Sequence, residues 1–373
     1  MEVGLVVEGD LEQTSGGYRY DRKLVSFLER RGDEVDVLSL PARSDDDRGL
    51  ETVSAPSNPS STDRSIRDRL DRPYDVLLQD ELCHPTLAEH NPHLERPGAI
   101  VSLVHLLRTP DPVVDDSRVR EREKRYLESV DAAVCTSSYT RDRTTDLADG
   151  DLPTLVAPPA GRHEGVALSA DDVRERARTD PFRIAFVGNV VPRKNVTTLL
   201  EALARIDGGK HDWRATVVGS LETDPTYARA VRERARSLGL DDRVTFTGRI
   251  ETAVLESVLE RSHALAVPAS YEGFGMVYLE AMEYGVVPIA SSVGGASEFV
   301  ADGRNGFVVD PTDPERLADR LGALAADRDR LAALGTGALE TATVHPTWSE
   351  TLGAVRTFLQ RCCEGESTGG DPA

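Results

Sequence analysis

Two glutamates separated by seven residues are the pair in this chain best suited to hold a polyhydroxylated, phosphorylated ligand. Glu272 stands beside a Gly-Phe-Gly loop at 273–275, and Glu280 lies inside the apolar run Met276–Met282, which predicts a helix. Carboxylates accept hydrogen bonds from hydroxyl groups. The start of a helix offers backbone N–H groups and the positive end of its dipole to a phosphate. The segment therefore predicts a binding site for a ligand of this kind.

A second candidate is the segment Gly188–Asn195, which lies between a strand pattern and a helix pattern and contains Arg193 and Lys194. Cationic side chains beside a helix start would bind a phosphate group through charge-assisted hydrogen bonds. The alternative is a pair of solvated loop charges, which is the usual fate of an Arg-Lys sequence. The glycine, the preceding strand and the following helix favour a phosphate site.

Together these segments resemble the retaining family 4 glycosyltransferases of GT-B fold, whose C-terminal domain carries the same Glu-x7-Glu spacing. Gly188–Asn195 resembles the phosphate-binding loop of that family, Gly16-Gly17 resembles its N-terminal glycine loop, and His105 resembles its acceptor-side histidine. The resemblance covers most of residues 1–363. The family usually has an arginine directly after the first glycine of the phosphate loop, where this chain has Asn189. Arg193 is the candidate substitute donor.

The resemblance implies a role for each matched residue. Glu280 is expected to bind the ribose hydroxyls of a nucleotide, Glu272 to lie near the transferred sugar, and Lys194 to bind the diphosphate. The candidate catalytic residues are Glu272, Lys194 and His105, and the candidate substrate-binding residues are Gly16, Gly17, Asn189, Arg193, Phe274, Gly275, Met276, Val277 and Glu280. Neither a metal nor a cofactor is expected, because Lys194 and helix dipoles replace the divalent ion in the resembled fold.

His105 follows the apolar run Ala99–Val104, and a lone histidine at a strand end is more often a structural residue than a functional one. Its imidazole could hydrogen-bond the sugar or the acceptor hydroxyl. Gly17 is expected to let the backbone approach a phosphate closely. Asp80 and Glu81 are weaker candidates for lining the acceptor pocket.

A metal site is an alternative interpretation of the cysteine and histidines that follow Glu81. His90 and His93 are three residues apart, but Asn91-Pro92 between them disfavours a regular helix. We therefore expect no metal here. The residues of this alternative site are Cys83, His84, His90 and His93.

Strand-like apolar runs alternate with helical patterns along the whole chain, which predicts an α/β protein with parallel sheets. We expect a GT-B fold of two doubly wound, Rossmann-like domains with a cleft between them: an acceptor-side domain of residues 1–165, completed by a helix at 348–363, and a nucleotide-sugar domain of residues 181–345. Residues 41–63 predict a long loop, residues 158–180 a linker with a short helix, and residues 364–373 a disordered tail. The predicted strands are Val3–Val7, Glu34–Leu38, Asp75–Leu78, Ala99–Val104, Ala132–Cys135, Thr154–Val156, Arg183–Val187, Ala215–Val218, Val244–Phe246, Ala264–Val267, Val286–Ala290 and Phe307–Val309.

The chain carries 64 acidic and 44 basic residues, a formal net charge of −20. This balance argues against nucleic acid as a partner, because phosphate contacts need a basic face. The basic residues are arginines apart from Lys23, Lys124, Lys194 and Lys210. An acid-rich, lysine-poor chain resembles proteins of high-salt cytoplasm and favours a haloarchaeal source over an acidic mesophilic one.

The sequence contains no run of 18 or more apolar residues, so we expect no membrane-spanning helix. The first residues predict a strand and lack the basic region of a signal peptide. We therefore expect a cytoplasmic enzyme. Peripheral contact with the membrane surface through the charged segment Arg118–Arg125 is an alternative, although its interleaved acidic residues favour a solvated helix face.

The sequence thus predicts transfer of a sugar from a nucleotide diphosphate to an acceptor hydroxyl on a glycan, lipid or small molecule, with retention at the anomeric carbon. A UDP-sugar is slightly preferred over GDP-mannose, although no residue supports that choice. Two alternatives stay open: another sugar-nucleotide enzyme of this fold, such as an epimerase or phosphorylase, and a non-catalytic sugar-nucleotide-binding subunit.

Overall fold

The computed structural model describes residues 1–41, 61–109, 117–150, 152–163, 166, 168–206 and 212–365. The chain divides into two compact units. The first comprises Met1–Pro159 together with Trp348–Ala373, and the second comprises Ala160–Thr347. Each unit contains a parallel sheet of six strands.

The first unit has strand order β2-β1-β3-β4-β5-β6. Its last helix packs against the first helix and against two central strands, so the chain returns to this unit after completing the second. Its strands are β1 (Glu2–Glu8), β2 (Glu34–Leu40), β3 (Val76–Asp80), β4 (Ala99–Val104), β5 (Ala132–Cys135) and β6 (Thr154–Val156). Its helices are α1 (Gly16–Arg30), α2 (Ser61–Leu70), α3 (His84–His90), α4 (Ser117–Leu127), α5 (Ser138–Leu147) and α13 (Trp348–Glu364).

The second unit has strand order β12-β11-β10-β7-β8-β9. Numbered from its own first strand and taken in the opposite direction, this is the Rossmann order 3-2-1-4-5-6. Its strands are β7 (Phe182–Val187), β8 (Trp213–Val218), β9 (Val244–Gly248), β10 (Ala264–Val267), β11 (Val287–Ser291) and β12 (Phe307–Val309). Its helices are α6 (Ala170–Ala177), α7 (Val196–Arg205), α8 (Pro225–Ser237), α9 (Thr252–Arg261), α10 (Met276–Met282), α11 (Pro314–Ala326) and α12 (Arg328–Val344).

All twelve predicted strands are confirmed, because parallel strands covered on both faces appear in the sequence as short continuous apolar runs. In β10 and β11 every residue is buried. Five strands have the predicted bounds: β4, β5, β6, β10 and β12. The short helix predicted in the linker is α6, whose start is fixed by a capping box between Ser169 and Asp172.

The other strands differ from their predicted bounds by one or two residues at one or both ends, and three boundaries of loops and helices also differ from the prediction. Gly16 and Gly17 form the first turn of α1 and not a loop, because Ser15 caps the helix by accepting a hydrogen bond from the Tyr18 N–H. The predicted loop of residues 41–63 ends too late, since α2 begins at Ser61 in a Ser-Thr-Asp sequence typical of helix starts. Residues 42–60 of that loop lie outside the described residues.

The third boundary is at the C-terminal tail. Glu364 still belongs to α13, and residues 366–373 of the predicted tail lie outside the described residues. Within the part of the chain that the structure describes, no helix is both long enough and apolar enough to cross a membrane.

The order of the strands determines where each sheet can hold a ligand. In sheets of this type, ligands bind beyond the carboxyl ends of the strands at the point where the strand order reverses. That point lies between β7 and β10 in the second unit and between β1 and β3 in the first. Gly16 and Gly17 follow β1, the segment 188–195 follows β7, and Glu272 and Glu280 follow β10, whereas His105 follows the neighbouring strand β4.

Candidate functional site

The loops after β7 and β10 are joined directly by a backbone hydrogen bond. Residues Pro192–Lys194 form a short 3-10 helix after β7. The N–H of Ser270, in the loop after β10, donates to the carbonyl of Arg193 at 2.8 Å. This bond brings the two predicted site segments together at the switch point of the sheet, although they are far apart in the sequence.

Lys194, Arg193 and Glu272 form one charged cluster at this position. The ammonium of Lys194 donates to Oε1 of Glu272, and Nη1 of Arg193 lies 3.4 Å from the same oxygen. Arg193 also donates to the carbonyl of Tyr271 at 2.7 Å. Burial alone would raise the pKa of Glu272, but the charges of Lys194 and Arg193 outweigh it and hold that pKa below its ordinary value. The carboxylate is therefore ionised at neutral pH.

Gly294 allows the backbone to pass close to Glu272. The two residues form a parallel bridge, and Gly294 has a φ of 123°. A Cβ at position 294 would lie 2.0 Å from the carbonyl oxygen of Glu272, which is far inside the contact distance. Any other residue would have to displace the loop that carries Glu272.

The Gly-Phe-Gly loop leads directly into α10. The ring of Phe274 is buried and stacks on Phe299 with ring centroids 4.8 Å apart, so its side chain is part of the core. Gly275 has a φ of 89° and directly precedes α10. Met276 and Val277, both partly exposed, form the first turn, whose N–H groups have no carbonyl partner within the helix.

Glu280 lies further along α10 and is buried. Nη2 of Arg162 donates to its Oε2 at 2.8 Å. Asn189 lies two residues after the end of β7 and is partly exposed, between the strand and the 3-10 helix that carries Lys194. The second unit therefore contains one cluster around Glu272 and a second charged pair at Glu280.

In the first unit, Gly17 lies against His105. A Cβ at position 17 would be 3.0 Å from Cδ2 of the imidazole, which is tighter than an ordinary contact. A larger residue at position 17 would therefore crowd the imidazole of His105, independently of any phosphate that binds near Gly17. Gly16 opens the same helical turn.

His105 is held by carboxylates. Its Nε2 lies 2.8 Å from Oδ1 of Asp21, and its backbone N–H donates to Glu81 at 2.8 Å. Burial would lower the pKa of His105, but the charges of Asp21, Glu81 and Asp80 raise it to about 10. The imidazole is therefore protonated at neutral pH and acts as a hydrogen-bond donor, not as a base.

Asp80 is buried beside this group. Its Oδ1 accepts the N–H of Leu82 at 2.9 Å, whereas Oδ2 is buried with no hydrogen-bond partner among the described residues. Burial, together with the neighbouring charges of Glu81 and Asp21, raises the pKa of Asp80 well above its ordinary value. The acids predicted to line a pocket are thus interior groups that surround His105.

One group of side chains in the described part of the chain has ligand atoms close enough to share a metal ion. The nearest such atoms of Asp21, Asp80 and His105 lie within 4.8 Å of one another. Nε2 of His105 already lies 2.8 Å from Oδ1 of Asp21, so the group is a hydrogen-bonded histidine–carboxylate pair with a second buried acid beside it. The alternative metal ligands suggested by the sequence do not form such a group among the described residues: Cys83, His84, His90 and His93.

Two residues of these clusters were missed by sequence reasoning, Arg162 and Asp21. Asp21 has a usable signal, since it is an acidic residue on the apolar stripe of α1 between Tyr18 and Leu24. Arg162 has none, because it lies in an irregular segment 118 residues from its partner Glu280.

Comparison with known proteins finds a family match within the second unit. Residues 169–341 match the sequence model of the glycosyl transferases group 1 family. A GDP-mannose-dependent alpha-(1-6)-phosphatidylinositol monomannoside mannosyltransferase from Mycobacterium tuberculosis is 31% identical over 253 residues, which cover 64% of this chain and 63% of the relative. The alignment thus spans less than two thirds of that relative's own length.

Solved structures share the fold over nearly the whole chain. Sucrose-phosphate synthase from Thermosynechococcus elongatus has a TM-score of 0.80 at 21% identity, covering 98% of this chain and 100% of its own. The Anabaena protein HepE, in complex with UDP and glucose, has a TM-score of 0.74 at 17% identity, covering 96% and 99% respectively. Residues 169–341 therefore resemble the glycosyl transferases group 1 family in sequence, in a chain that has the GT-B fold.

Proposed function

We propose that the protein is a retaining glycosyltransferase that uses a nucleoside diphosphate sugar. The observation that carries the proposal is the contact of Lys194 with Glu272, beside Arg193, at the switch point of the second sheet. An ionised carboxylate and two cations in one place suit a ligand that carries hydroxyl groups and a diphosphate together. The named relative uses GDP-mannose and HepE binds UDP and glucose, which supports a donor of this class.

In the proposed reaction, the bond between the anomeric carbon and the diphosphate oxygen breaks, and its electron pair leaves with the diphosphate. The acceptor hydroxyl forms the new bond from the same face, and its proton passes to a diphosphate oxygen. Lys194 and Arg193 stabilise the charge that develops on the leaving group. They supply the cationic charge that a divalent ion would otherwise provide, so we propose that turnover needs no metal.

The remaining residues have supporting roles in this proposal. Glu272 leaves Lys194 when the diphosphate binds and contacts the sugar hydroxyls, and Glu280 binds the ribose. Backbone N–H groups of residues 274–277, and Asn189, hold sugar and diphosphate oxygens. On the acceptor side, Gly16 and Gly17 support His105, whose protonated imidazole donates a hydrogen bond.

The acceptor is proposed to be a hydroxyl on a glycan, a lipid or a small molecule, and the sugar, linkage and nucleotide stay open. The acid-rich, lysine-poor composition supports work in a high-salt cytoplasm as part of the same proposal. A lipid acceptor would bring the protein to a membrane surface.

The test is release of nucleoside diphosphate from a panel of UDP- and GDP-sugars at molar KCl, with and without acceptors. Glu280→Gln keeps the side-chain size but removes the charge. Hydrogen bonds to charged groups are worth about 1.5–3 kcal/mol, so nucleotide binding should weaken by roughly 10- to 100-fold. Glu260→Gln, on the exposed end of α9, is the matched control. Failure of every donor to turn over would contradict the proposal, and donor isomerisation in place of release would favour an epimerase.

A further inference from the structure

The segment Gly161–His163 is fastened to the end of α10. The backbone N–H groups of Arg162 and His163 both donate to the carboxylate of Glu283, at 2.9 and 3.0 Å. His163 Nε2 also lies 2.6 Å from the hydroxyl of Tyr284. Glu283 and Tyr284 lie about one helical turn after Glu280, so the segment is held against the element that carries the candidate ribose-binding carboxylate.

Glycine at position 161 is required by this attachment. A Cβ there would lie 2.0 Å from Oε1 and 2.5 Å from Cδ of Glu283. Glu283 is itself buried, at 6% exposure, so its carboxylate has little room to retreat. Any side chain at 161 would push the segment away from α10 and break the two N–H bonds.

The attachment places the Arg162 side chain on Glu280. Nη2 of Arg162 donates to Oε2 of Glu280 at 2.8 Å, and the two side chains are 20% and 8% exposed. Nε of Arg162 is buried without a hydrogen-bond partner among the described residues. The position of Arg162 is therefore determined by the backbone hydrogen bonds of the segment to Glu283, and not by an acceptor at Nε.

A guanidinium so placed orients the carboxylate. Its fixed direction restricts the rotation of the carboxyl group, so hydroxyls that bind there meet acceptors already in position.

We propose that Arg162 is a positioning residue for Glu280: it holds the carboxylate in the orientation that accepts the ribose hydroxyls of the donor nucleotide. This inference rests on the proposed function. In this role, the segment 161–163 determines how strongly the protein discriminates between ribonucleotides and deoxyribonucleotides. Arg162 itself does not contact the reacting atoms in this role.

The test is calorimetric titration of the purified full chain with UDP and GDP, and with their 2′-deoxy and 3′-deoxy counterparts. Wild type should bind whichever ribonucleotide it prefers roughly 10- to 100-fold more tightly than the deoxy forms. Arg162→Gln should bind the ribonucleotide about tenfold more weakly and the deoxy forms nearly as wild type does, so discrimination collapses. Arg162→Lys, which keeps the charge, should recover part of it.

The matched control is Arg234→Gln, which removes another arginine–glutamate pair of the same unit, formed with Glu201. It should leave discrimination unchanged. If Arg162→Gln and Arg162→Lys both discriminate like wild type, or lose affinity equally for ribo and deoxy forms, the positioning role is wrong while the proposed function stands. If wild type binds neither ribonucleotide, the proposed function fails, and this inference fails with it.

Discussion

The variant Lys194→Ala tests two roles of this lysine. One is to pair with a buried carboxylate in the folded protein, and the other is to stabilise the charge on the leaving group during turnover. In the structure, Lys194 contacts Glu272, and the side chains are 14% and 9% exposed. Removing the lysine leaves a buried carboxylate whose remaining cation is Arg193, 3.4 Å away. Both stability and turnover should therefore fall, but for different physical reasons.

The two losses can be sized separately. Breaking a buried ion pair by removing one partner costs about 3–5 kcal/mol, and the remaining Arg193 puts this case at the lower end. For a domain of this size, about 3 kcal/mol corresponds to a melting temperature lower by roughly 6–12 °C. Removing one stabiliser of a developing charge costs about 2.7–4 kcal/mol of transition-state energy, or a factor on the order of 10²–10³ in turnover.

The double variant Lys194→Ala/Glu272→Gln distinguishes these roles. It removes the buried charge that the single variant leaves behind, so the melting temperature should recover most of the loss. Turnover should not recover, because the diphosphate still lacks its cation. The assays are thermal melting and release of nucleoside diphosphate, with Lys124→Ala, a surface lysine paired with Asp149, as the control. Recovery of turnover in the double variant, or wild-type turnover in Lys194→Ala, would refute the reasoning.

Three further predictions concern metal, salt and pH. Excess chelator should leave turnover unchanged, because Lys194 and Arg193 supply the cationic charge; loss of activity restored by Mg²⁺ would contradict this. The melting temperature should rise from 0.01 to 1 M KCl, where the Debye length falls from ~30 to ~3 Å and repulsion among the excess acids is screened; a flat or falling value would contradict the high-salt interpretation. Asp80→Asn keeps an acceptor for the Leu82 N–H and replaces a buried carboxyl group whose pKa is raised. Because a raised carboxyl pKa destabilises the fold progressively as pH increases above the ordinary value of 3.8, the variant should melt higher than wild type at pH 8 and by less at pH 4. A variant less stable than wild type at pH 8 would show that the Asp80 charge is needed.

The strands could be predicted from the sequence because a parallel strand that is buried on both faces consists mostly of consecutive apolar residues. β10 and β12, for example, appear as short apolar runs and have the predicted bounds. The start of α1 could not be placed correctly, because two glycines are poor helix formers and the Ser15 cap overrides their preference. Local patterns therefore fix the interior of an element better than its ends.

The partners of the candidate site residues could not be predicted. Arg162 meets Glu280 across 118 residues, and Asp21 meets His105 across 84. Such pairs depend on which strands are neighbours in each sheet, and no local pattern encodes that. The pairing with Asp21 also affects the chemistry of His105, since the charges of Asp21, Glu81 and Asp80 raise the pKa of the imidazole to about 10.

The central claim is sugar transfer with retention, and the configuration of the product tests it most directly. The protein would be incubated at molar KCl with each donor that it turns over and with inositol phosphate, monosaccharides or vesicles containing phosphatidylinositol as acceptors. Proton NMR of the product would then give the anomeric configuration. The account predicts a glycoside with the same anomeric configuration as the donor, formed by wild type and by Lys124→Ala but at least on the order of 10² more slowly by Lys194→Ala. A glycoside of inverted configuration would contradict the proposed mechanism, and an isomerised or merely hydrolysed donor with every acceptor would contradict the transferase assignment itself.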